Sequence, residues 1–283
     1  IFCHSNDICR ICHYQSNRKE AKQMETNLNK NVIKKPHDLF VDIITKSYED
    51  KNQNTYNNAI KNMKFVIPQG ELCCLVGPSG CGKTTLLNLL SGLDNKVEGV
   101  IKYQDGTIPN DWPIGYMFQE PRLMPWLTVK QNVSIVTNQT SEEIAHSEKL
   151  INEMGLIKYM NAFPSQLSGG MQRRVAIARA FVNKPKILLL DEPFISLDLT
   201  VANLLRQMLI KLWENQKNTI IFVTHDLREA MYLSDRILFL SKGSFCMNFS
   251  CADILGVVTG LTDFLPNIPN PFFAIPNILN PII

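Results

Sequence analysis

The chain has 283 residues, of which 45% are hydrophobic and 19% are charged, and its formal net charge is +3. A chain of this size and composition can bury a full core as one large domain with an added lobe, or as two small domains. The mild net charge gives no argument for nucleic acid, and we expect no such partner. No run approaches the roughly eighteen consecutive apolar residues of a membrane span, so any membrane role must come through a partner.

Three of the eight cysteines, Cys73, Cys74 and Cys81, lie in or beside a glycine-rich loop, where a disulfide is hard to accommodate. This distribution predicts a reducing, cytosolic setting. Cys81 also stands beside Lys83 at the start of a predicted helix, which predicts a lowered thiol pKa. A Cys-Arg-Ile-Cys-His run near the start of the chain has the spacing of a covalent haem site. We interpret it as a chance match, and the role of the Cys/His cluster around it stays open.

Both ends of the chain differ in composition from its middle. Residues 1–37 are polar and lack periodicity, so they are predicted to be poorly ordered, with Met24 as a plausible start. Prolines are dense near the other end, which excludes a helix there and predicts an extended or disordered tail over residues 251–283. The domain is therefore predicted to span residues 38–250.

The front of this domain is predicted to consist of short strands. Strand patterns occur at 39–44, 59–67, 99–103 and 114–118, with a polar turn over 50–58. Because these strands lie close together in the sequence and are joined by short turns, we expect an antiparallel flap beside the main sheet.

A strand, a glycine-rich loop and a helix follow one another over residues 72–90. The apolar residues 72–76 predict a buried strand, and the leucine-rich helix is predicted to end at Gly92. Between them lies the phosphate-binding pattern G-x-x-x-x-G-K-[ST]. Its predicted nucleotide-binding residues are Gly77, Pro78, Ser79, Gly80, Cys81, Gly82, Lys83, Thr84 and Thr85.

The chemistry of a triphosphate accounts for this pattern. Gly77, Gly80 and Gly82 are expected to take backbone conformations closed to other residues, so that successive N–H groups point at one anion. The following helix adds the positive end of its dipole. Lys83 is expected to reach the β- and γ-phosphates of ATP, and the Thr84 hydroxyl to hold Mg²⁺.

The rest of the domain alternates helices with apolar strands. Helical periodicity covers 128–160, 171–182 and 200–216, and Thr140 forms a capping box with Glu143. Buried strands are predicted at 187–190, 220–223 and 237–240. This alternation predicts a parallel sheet covered on both faces, with a mostly helical insertion between its front and back parts.

Polar side chains stand where the predicted strands end. Asp191 and Glu192 follow one buried strand; Asp191 suits Mg²⁺, and Glu192 suits the orientation or deprotonation of an attacking water. His225 follows another strand and is expected to contact the γ-phosphate or to hold Glu192 and the water in line. Gln119 precedes the helical insertion and is expected to touch Mg²⁺ and the water while moving with that insertion.

Ser168, Gly169 and Gly170 begin a predicted helix and form a second candidate anion site by the same helix-terminus argument. One nucleotide has one γ-phosphate, yet the chain has two such helix starts. The residues alone leave two interpretations open: the second start is only a helix cap, or it serves a nucleotide bound to another chain.

Taken together, these motifs resemble the ATP-binding cassette (ABC) ATPases over about residues 39–245. The resemblance rests on the phosphate loop, Gln119, residues 167–172, the Asp191–Glu192 pair, residues 196–198 and His225. It implies an α/β fold, a P-loop NTPase with a mainly parallel sheet core, an antiparallel β flap and a helical signature lobe at about residues 120–182. It also implies a head-to-tail homodimer, in which Ser168 and Gly170 of one chain close over ATP held by the other. Asp198 would lie at that interface.

Residues 115–129 further resemble the branch that energises importers of nitrate, sulfonates, taurine and related small solutes. This resemblance implies an ATPase subunit on the cytoplasmic face of the membrane, working with permease subunits and, indirectly, with a solute-binding protein. The permease would dock at residues 121–127. An aromatic residue is also expected to stack on adenine; Tyr48 fits that position, with Tyr56 as a rival. The transported solute is not encoded in this chain.

Two alternative functions fit these motifs less well. A non-transport ABC ATPase of translation or DNA repair usually carries two cassettes or a long coiled coil, and the sequence shows one cassette and no heptad array. A catalytically silent nucleotide-binding module is disfavoured by the intact Lys83, Glu192 and His225.

Overall fold

The computed structural model describes residues 38–50, 55–103, 106–108, 113–241 and 244–250. The expectations for the two ends of the chain, including the Cys/His cluster and the proline-rich tail, lie outside these ranges. The described strands are β1 (Leu39–Asp50), β2 (Thr55–Ile67), β3 (Leu72–Val76), β4 (Glu98–Tyr103), β5 (Ile114–Met117), β6 (Ile187–Asp191), β7 (Thr219–Thr224), β8 (Arg236–Ser241) and β9 (Ser244–Ser250). The described α-helices are α1 (Lys83–Leu90), α2 (Val129–Ser134), α3 (Ser141–Glu153), α4 (Gly169–Phe181), α5 (Leu199–Gln216) and α6 (Leu227–Leu233). Short 3₁₀ turns occur at Ile157–Tyr159 and Pro164–Gln166.

The strands form two sheets. One is antiparallel, in the order β2-β1-β4, and the other has the order β5-β6-β7-β3-β8-β9, with β9 antiparallel to an otherwise parallel set. The predicted α/β fold with a parallel core and an antiparallel flap is therefore confirmed. The assignment of residues 114–118 to the flap is wrong, because β5 pairs in parallel with β6, Met117 opposite Leu190. Gly115 permits this position, since a Cβ there would lie 2.2 Å from Ala180 O of α4.

Two predicted strand boundaries were also wrong, and one strand was missed. β1 and β2 extend far into the segment predicted as a polar turn, and they pair as far as Asp50 and Thr55. β9 was not predicted, since the pattern weakens after residue 243, and it pairs with β8 at the edge of the main sheet. The longer β1 and β2 and the additional β9 are all stabilised by pairing with a neighbouring strand, which cannot be predicted from local periodicity.

The central strand β3 shows how the core is divided. All five of its side chains are buried. Cys73 and Leu75 pack with α1 and the flap, whereas Leu72, Cys74 and Val76 pack with the helices on the other face of the sheet. A strand covered on both faces is apolar at every position, which is why this one was recognisable from the sequence.

The helical lobe is anchored by local hydrogen bonds. Thr128 and Thr140 both form capping boxes at the starts of α2 and α3, and the second was predicted. The buried Asn132 side chain donates to Met124 O and Leu127 O and accepts from Met124 N, so it holds the segment 121–127. Within the described residues, none of the helices combines the length and apolar content that a membrane span needs.

Candidate nucleotide-binding site

The loop between β3 and α1 owes its shape to three glycines that act in two different ways. Gly80 and Gly82 have φ values of 77° and 96°, in the left-handed region, as predicted. Gly77 does not lie in that region, so its predicted conformation is wrong. It is needed for a close approach instead, because a Cβ there would lie 2.4 Å from Leu240 O and 2.6 Å from Cys81 Sγ.

The flap also contributes to the shape of this loop. The pairing of β1 with β2 skips Ala59, which leaves a bulge between two regular stretches. A Cβ on Gly82 would lie 2.6 Å from Ala59 O, so the bulged backbone packs directly on the glycine that precedes α1. The loop is therefore held from both sides, by the flap at Gly82 and by β8 at Gly77.

Lys83 lies inside the curve of this loop. Its Nζ donates to Gly77 O over 2.6 Å and to Pro78 O over 2.8 Å, and the residue is only 7% exposed. The positive charge thus sits beside the backbone N–H groups at the start of α1. A polyanion in the loop would meet this ammonium and the helix dipole together.

Thr84 and Asp191 form the junction between the loop and the main sheet. Thr84 Oγ1 donates to Asp191 Oδ2 over 3.1 Å, although the two residues are 107 positions apart. Burial raises the pKa of Asp191, the charge of Glu192 adds to this, and the Thr84 hydrogen bond and the Lys83 charge oppose it. A hydroxyl and a carboxylate are oxygen donors of the kind that Mg²⁺ prefers, so this pair fits that ion.

Gln119 reaches the same edge of the sheet, because β5 and β6 are parallel neighbours. Its side chain is exposed, and its backbone oxygen accepts a hydrogen bond from Arg173 Nη1 over 3.2 Å. The structure therefore places Gln119 near the end of β6, with its backbone oxygen in contact with Arg173 and its side chain exposed.

Glu192 has an unusual backbone conformation. Its φ is 46°, in the left-handed region, which costs a non-glycine residue roughly 1–2 kcal/mol. Its N–H donates to Val223 O of β7 over 3.0 Å, which helps to hold the turn. The turn separates two neighbouring carboxylates, because Asp191 accepts from Thr84 while Glu192 Oε2 lies 3.4 Å from His225 Nδ1.

Arg173 is a residue of the site that the sequence interpretation missed. Its Nη1 donates to Gln119 O and, over 3.4 Å, to Glu192 O, so a side chain from α4 ties the helical lobe to both strand ends. Burial lowers the pKa of Arg173, and the negative charge of Glu192 partly opposes this. The sequence did offer one indication of this role, because Arg173 lies on the helix that Ser168 caps, five residues further along the chain.

The second candidate anion site lies at the exposed N-termini of two helices. Ser168 Oγ accepts from Met171 N over 3.3 Å as the N-cap of α4, and Asp198 Oδ1 accepts from Val201 N over 3.0 Å as the N-cap of α5. A Cβ on Gly170 would lie 2.8 Å from Val201 Cγ1, so these two helix starts are packed together. A Cβ on Gly169 would meet no heavy atom within 4 Å, so the backbone there is open to a ligand.

Tyr48 and Tyr56 lie on neighbouring strands of the flap but face opposite sides of it. Tyr48 pairs with Asn57, whereas Tyr56 pairs with Glu49, which is the next residue along β1. The Tyr48 hydroxyl donates to Asp94 Oδ2 over 3.1 Å in the loop after α1. Tyr56 is 71% exposed. Only Tyr48 is therefore tied to the part of the chain that carries the phosphate loop.

This fold and this loop define a P-loop nucleotide-binding domain, with a second, exposed candidate anion site. Residues 60–195 match a protein-family model described as ABC transporter. An uncharacterized ABC transporter ATP-binding protein of Methanocaldococcus jannaschii is 41% identical over 208 residues, which cover 72% of this chain and 77% of the relative. An aliphatic sulfonates import ATP-binding protein of Bacillus cereus is 42% identical over 185 residues, or 64% and 73% of the two chains.

A solved structure supports the same family assignment. The dimeric structure of a post-hydrolysis state of an ATP-binding cassette, bound to ADP and phosphate, has a TM-score of 0.66 and 32% identity. It covers 75% of this chain and 98% of the cassette. The chain therefore belongs to the ABC transporter ATP-binding proteins, and it is an ATPase. The family expected from the motifs is confirmed, as is the expected P-loop fold.

Proposed function

We propose that this chain is the ATPase subunit of a membrane importer and that its hydrolysis of ATP energises uptake of a small anionic solute, with an alkanesulfonate as the leading candidate. The proposal takes its solute class from the similarity to the aliphatic sulfonates import protein. The observation that carries the catalytic part is the divergence of two carboxylates at the end of β6, one toward Thr84 and the other toward His225.

The phosphate loop supplies binding in this proposal. Lys83 and the N–H groups at the start of α1 would take the β- and γ-phosphates, and Tyr48 is the better-placed candidate for adenine. Thr84, Asp191 and Gln119 would hold Mg²⁺, and the ion would help to neutralise the negative charge of the phosphates during hydrolysis. The donor set is all oxygen, as that ion requires.

Glu192 is the proposed group that orients or deprotonates the attacking water. Its carboxylate is partly buried, and His225 Nδ1 at 3.4 Å restricts where it points. His225 is exposed enough to reach a nucleotide placed over the loop. Water attack on the γ-phosphorus breaks its bond to the bridging oxygen and releases ADP and phosphate.

The second anion site supports a head-to-tail homodimer. Ser168, Gly169 and Asp198 stand exposed at neighbouring helix starts, where backbone donors face outward. In the proposed dimer, Ser168 and Gly170 of each chain close over the ATP held by the other. ATP that binds this closed dimer more tightly than the open one would drive closure, and hydrolysis would reverse it.

The helical lobe is the proposed contact with the permease. Trp126 is 70% exposed, although its segment is fixed from behind by Asn132. Arg179 from α4 donates to Arg122 O and Pro121 O, so movement of the helix that begins at Ser168 would be passed to this surface. The chain would then work at the cytoplasmic face of the membrane, and a solute-binding protein would act on it only through the permease.

The test is reconstitution of the chain with its permease in liposomes or nanodiscs. We expect ATP hydrolysis to rise when a binding protein loaded with an alkanesulfonate is added, and not when the unloaded protein is added. Trp126→Ala should abolish this stimulation and leave the activity of the isolated chain unchanged, with Ile157→Ala, another exposed apolar residue of the helical lobe, as its control. A rate of ATP hydrolysis that is the same with and without the permease, under all conditions, would contradict the transport proposal and favour the non-transport alternative.

A further inference from the structure

Behind His225 lies a buried set of polar side chains that the proposed reaction does not use. Arg206 of α5 and Glu229 of α6 form an ion pair, with Nη2 2.7 Å from Oε1, and their side chains are only 11% and 12% exposed. Charged groups that are largely withdrawn from water lose hydration, so net stability is a weak explanation for this pair.

The second oxygen of Glu229 continues the contact toward the site. Thr224 Oγ1 donates to Glu229 Oε2 over 2.6 Å and accepts from Asp226 N over 3.1 Å. Thr224 is 2% exposed and is the last residue of β7. The residue before His225 thus carries a hydroxyl that accepts from the backbone of the residue after it, and the Glu229 carboxylate sets the direction of this hydroxyl.

The guanidinium also contacts the segment that carries the catalytic carboxylate. Its central carbon lies 5.1 Å from the ring of Phe194, which is 3% exposed and follows Glu192 by two residues. It lies 6.0 Å from the ring of Tyr232 on α6, and its Nη1 donates to Asn203 within α5. One side chain therefore touches the turn after β6 and, through Glu229, the turn after β7.

We propose that the largely buried Arg206–Glu229 pair positions His225 for hydrolysis. The turns after β6 and β7 meet at the surface, where Glu192 Oε2 lies 3.4 Å from His225 Nδ1. The Arg206–Glu229 pair connects the same two turns from the interior. Arg206 and Glu229 touch no reacting atom and act through the Thr224 hydroxyl and the Phe194 ring. This inference rests on the proposed catalytic role of Glu192.

The sharpest test is Thr224→Val, which keeps the shape of the side chain and removes the hydroxyl. We expect kcat for ATP to fall by about tenfold to hundredfold, as misplacement of a catalytic group does. KM for ATP should stay within about twofold, because the phosphate loop is untouched. Thr224→Ser restores the hydroxyl and should restore most of kcat.

A matched control lies at the other end of the same strand. Thr219 is 3% exposed, and its Oγ1 accepts from Gly70 N over 2.9 Å, far along β7 from His225. Thr219→Val therefore loses a buried hydroxyl from the same element and should keep a normal kcat. A kcat for Thr224→Val equal to that of Thr219→Val, with both proteins folded, overturns the proposal.

Arg206→Lys provides a second test that does not depend on how well Thr224→Val folds. Lysine keeps the charge but loses the planar fork that reaches Glu229 and Asn203 together. We expect a lower kcat at unchanged KM, and a double variant with Thr224→Val that is no worse than the poorer single variant, because both act through one carboxylate. Strictly multiplicative losses in the double variant overturn the proposal.

The failure of this inference differs from the failure of the proposed function. If Glu192→Gln hydrolyses ATP normally, the catalytic assignment itself is wrong. If Glu192→Gln is inactive while Thr224→Val and Arg206→Lys are normal, only the positioning role is overturned.

Discussion

Glu192 Oε2 lies 3.4 Å from His225 Nδ1, and this contact joins the ends of two adjacent parallel strands. The backbone at Glu192 takes a left-handed conformation, which directs its side chain away from that of Asp191. Two consecutive carboxylates can therefore serve separate tasks, one beside the Thr84 hydroxyl and one beside an imidazole.

The first prediction concerns this carboxylate. Glu192→Gln should lower kcat for ATP by about 10² to 10⁴, the usual contribution of a general base, while ATP affinity is retained. Because hydrolysis reopens the proposed dimer, the variant should accumulate as an ATP-bound dimer, measured by light scattering after size exclusion. Glu214→Gln, an exposed carboxylate on α5, is the matched control. An unchanged rate of hydrolysis in Glu192→Gln would remove Glu192 from its role.

The second prediction concerns the stability of the flap. Lys46 is 3% exposed and lies 2.7 Å from Asp94 Oδ2, and it also donates to Lys96 O. Burial alone would raise the pKa of Asp94, but hydrogen bonds from Lys46, from the Lys96 N–H and from Tyr48 outweigh it and lower that pKa. Because Asp94 is partly exposed, Asp94→Asn should lower the free energy of unfolding at pH 7 by about 1–3 kcal/mol, the usual cost of leaving a buried polar group without its partner.

The effect of Asp94→Asn on stability should depend on pH, because the pKa of Asp94 is lowered in the folded state. A lowered carboxyl pKa in the folded state contributes stability above the unfolded pKa of about 3.9, and that contribution is lost as the pH falls through the folded pKa. The difference between wild type and Asp94→Asn should therefore shrink on acidification, in urea denaturation at a series of pH values. The exposed pair of Asp42 with Lys64 is the control, and Asp42→Asn should have a small effect throughout. A difference that grows in acid would contradict this account.

The third prediction concerns the thiol in the phosphate loop, where the expectation from sequence was wrong. Burial raises the pKa of Cys81, and the nearby Lys83 charge and hydrogen bonds only partly offset it. Alkylation at pH 7 should therefore be slow and should accelerate only above the ordinary thiol pKa of about 8.5. Sγ lies 3.8 Å from Lys83 Nζ, so the alkylated chain should lose ATP binding, and bound ATP should protect it.

Site-resolved mass spectrometry measures this rate for Cys81 directly. Cys81→Ser should bind ATP normally, which separates the effect of the added group from any need for the thiol. Rapid labelling at pH 7, or equal labelling with and without ATP, would contradict the assignment of a buried thiol beside the phosphates.

The cases of Cys81 and β5 show what the sequence did and did not predict. The continuous apolar pattern of β3 and the Thr140–Glu143 capping box are local signals, and both elements were predicted correctly. The sheet to which β5 belongs is decided by its packing against α4 and its pairing with β6, which are distant in sequence. The thiol pKa likewise depends on burial, and the neighbouring Lys83 alone predicted the wrong direction.

In the candidate site, too, local sequence predicted some features and tertiary contacts determine the others. Asp191, Glu192 and His225 could be placed at one edge of the sheet because each follows an apolar strand. The left-handed backbone of Glu192 and the contacts of Arg173 have no local pattern, since they arise where α4 meets two strand ends. Gly77 was assigned to the right loop for the wrong reason, because the close approach of Leu240 is a tertiary contact.

The central claim is that each working site combines the phosphate loop of one chain with the Ser168 helix start of another. Ser168→Arg and Lys83→Ala should each suppress hydrolysis, the first by blocking the exposed N-terminus of α4 and the second by removing the loop ammonium. A dimer that contains one chain of each kind retains one complete site and one site with both defects.

Mixing these two inactive chains and measuring ATP hydrolysis tests the claim most directly. Random pairing in equal amounts makes half of the dimers mixed, so activity should recover to about one quarter of the wild-type value. Ser168→Arg mixed with a chain that carries both substitutions should stay inactive, because every site is then broken. We expect recovery in the first mixture alone; no recovery there at any mixing ratio, with both chains folded and able to exchange, would contradict the shared site.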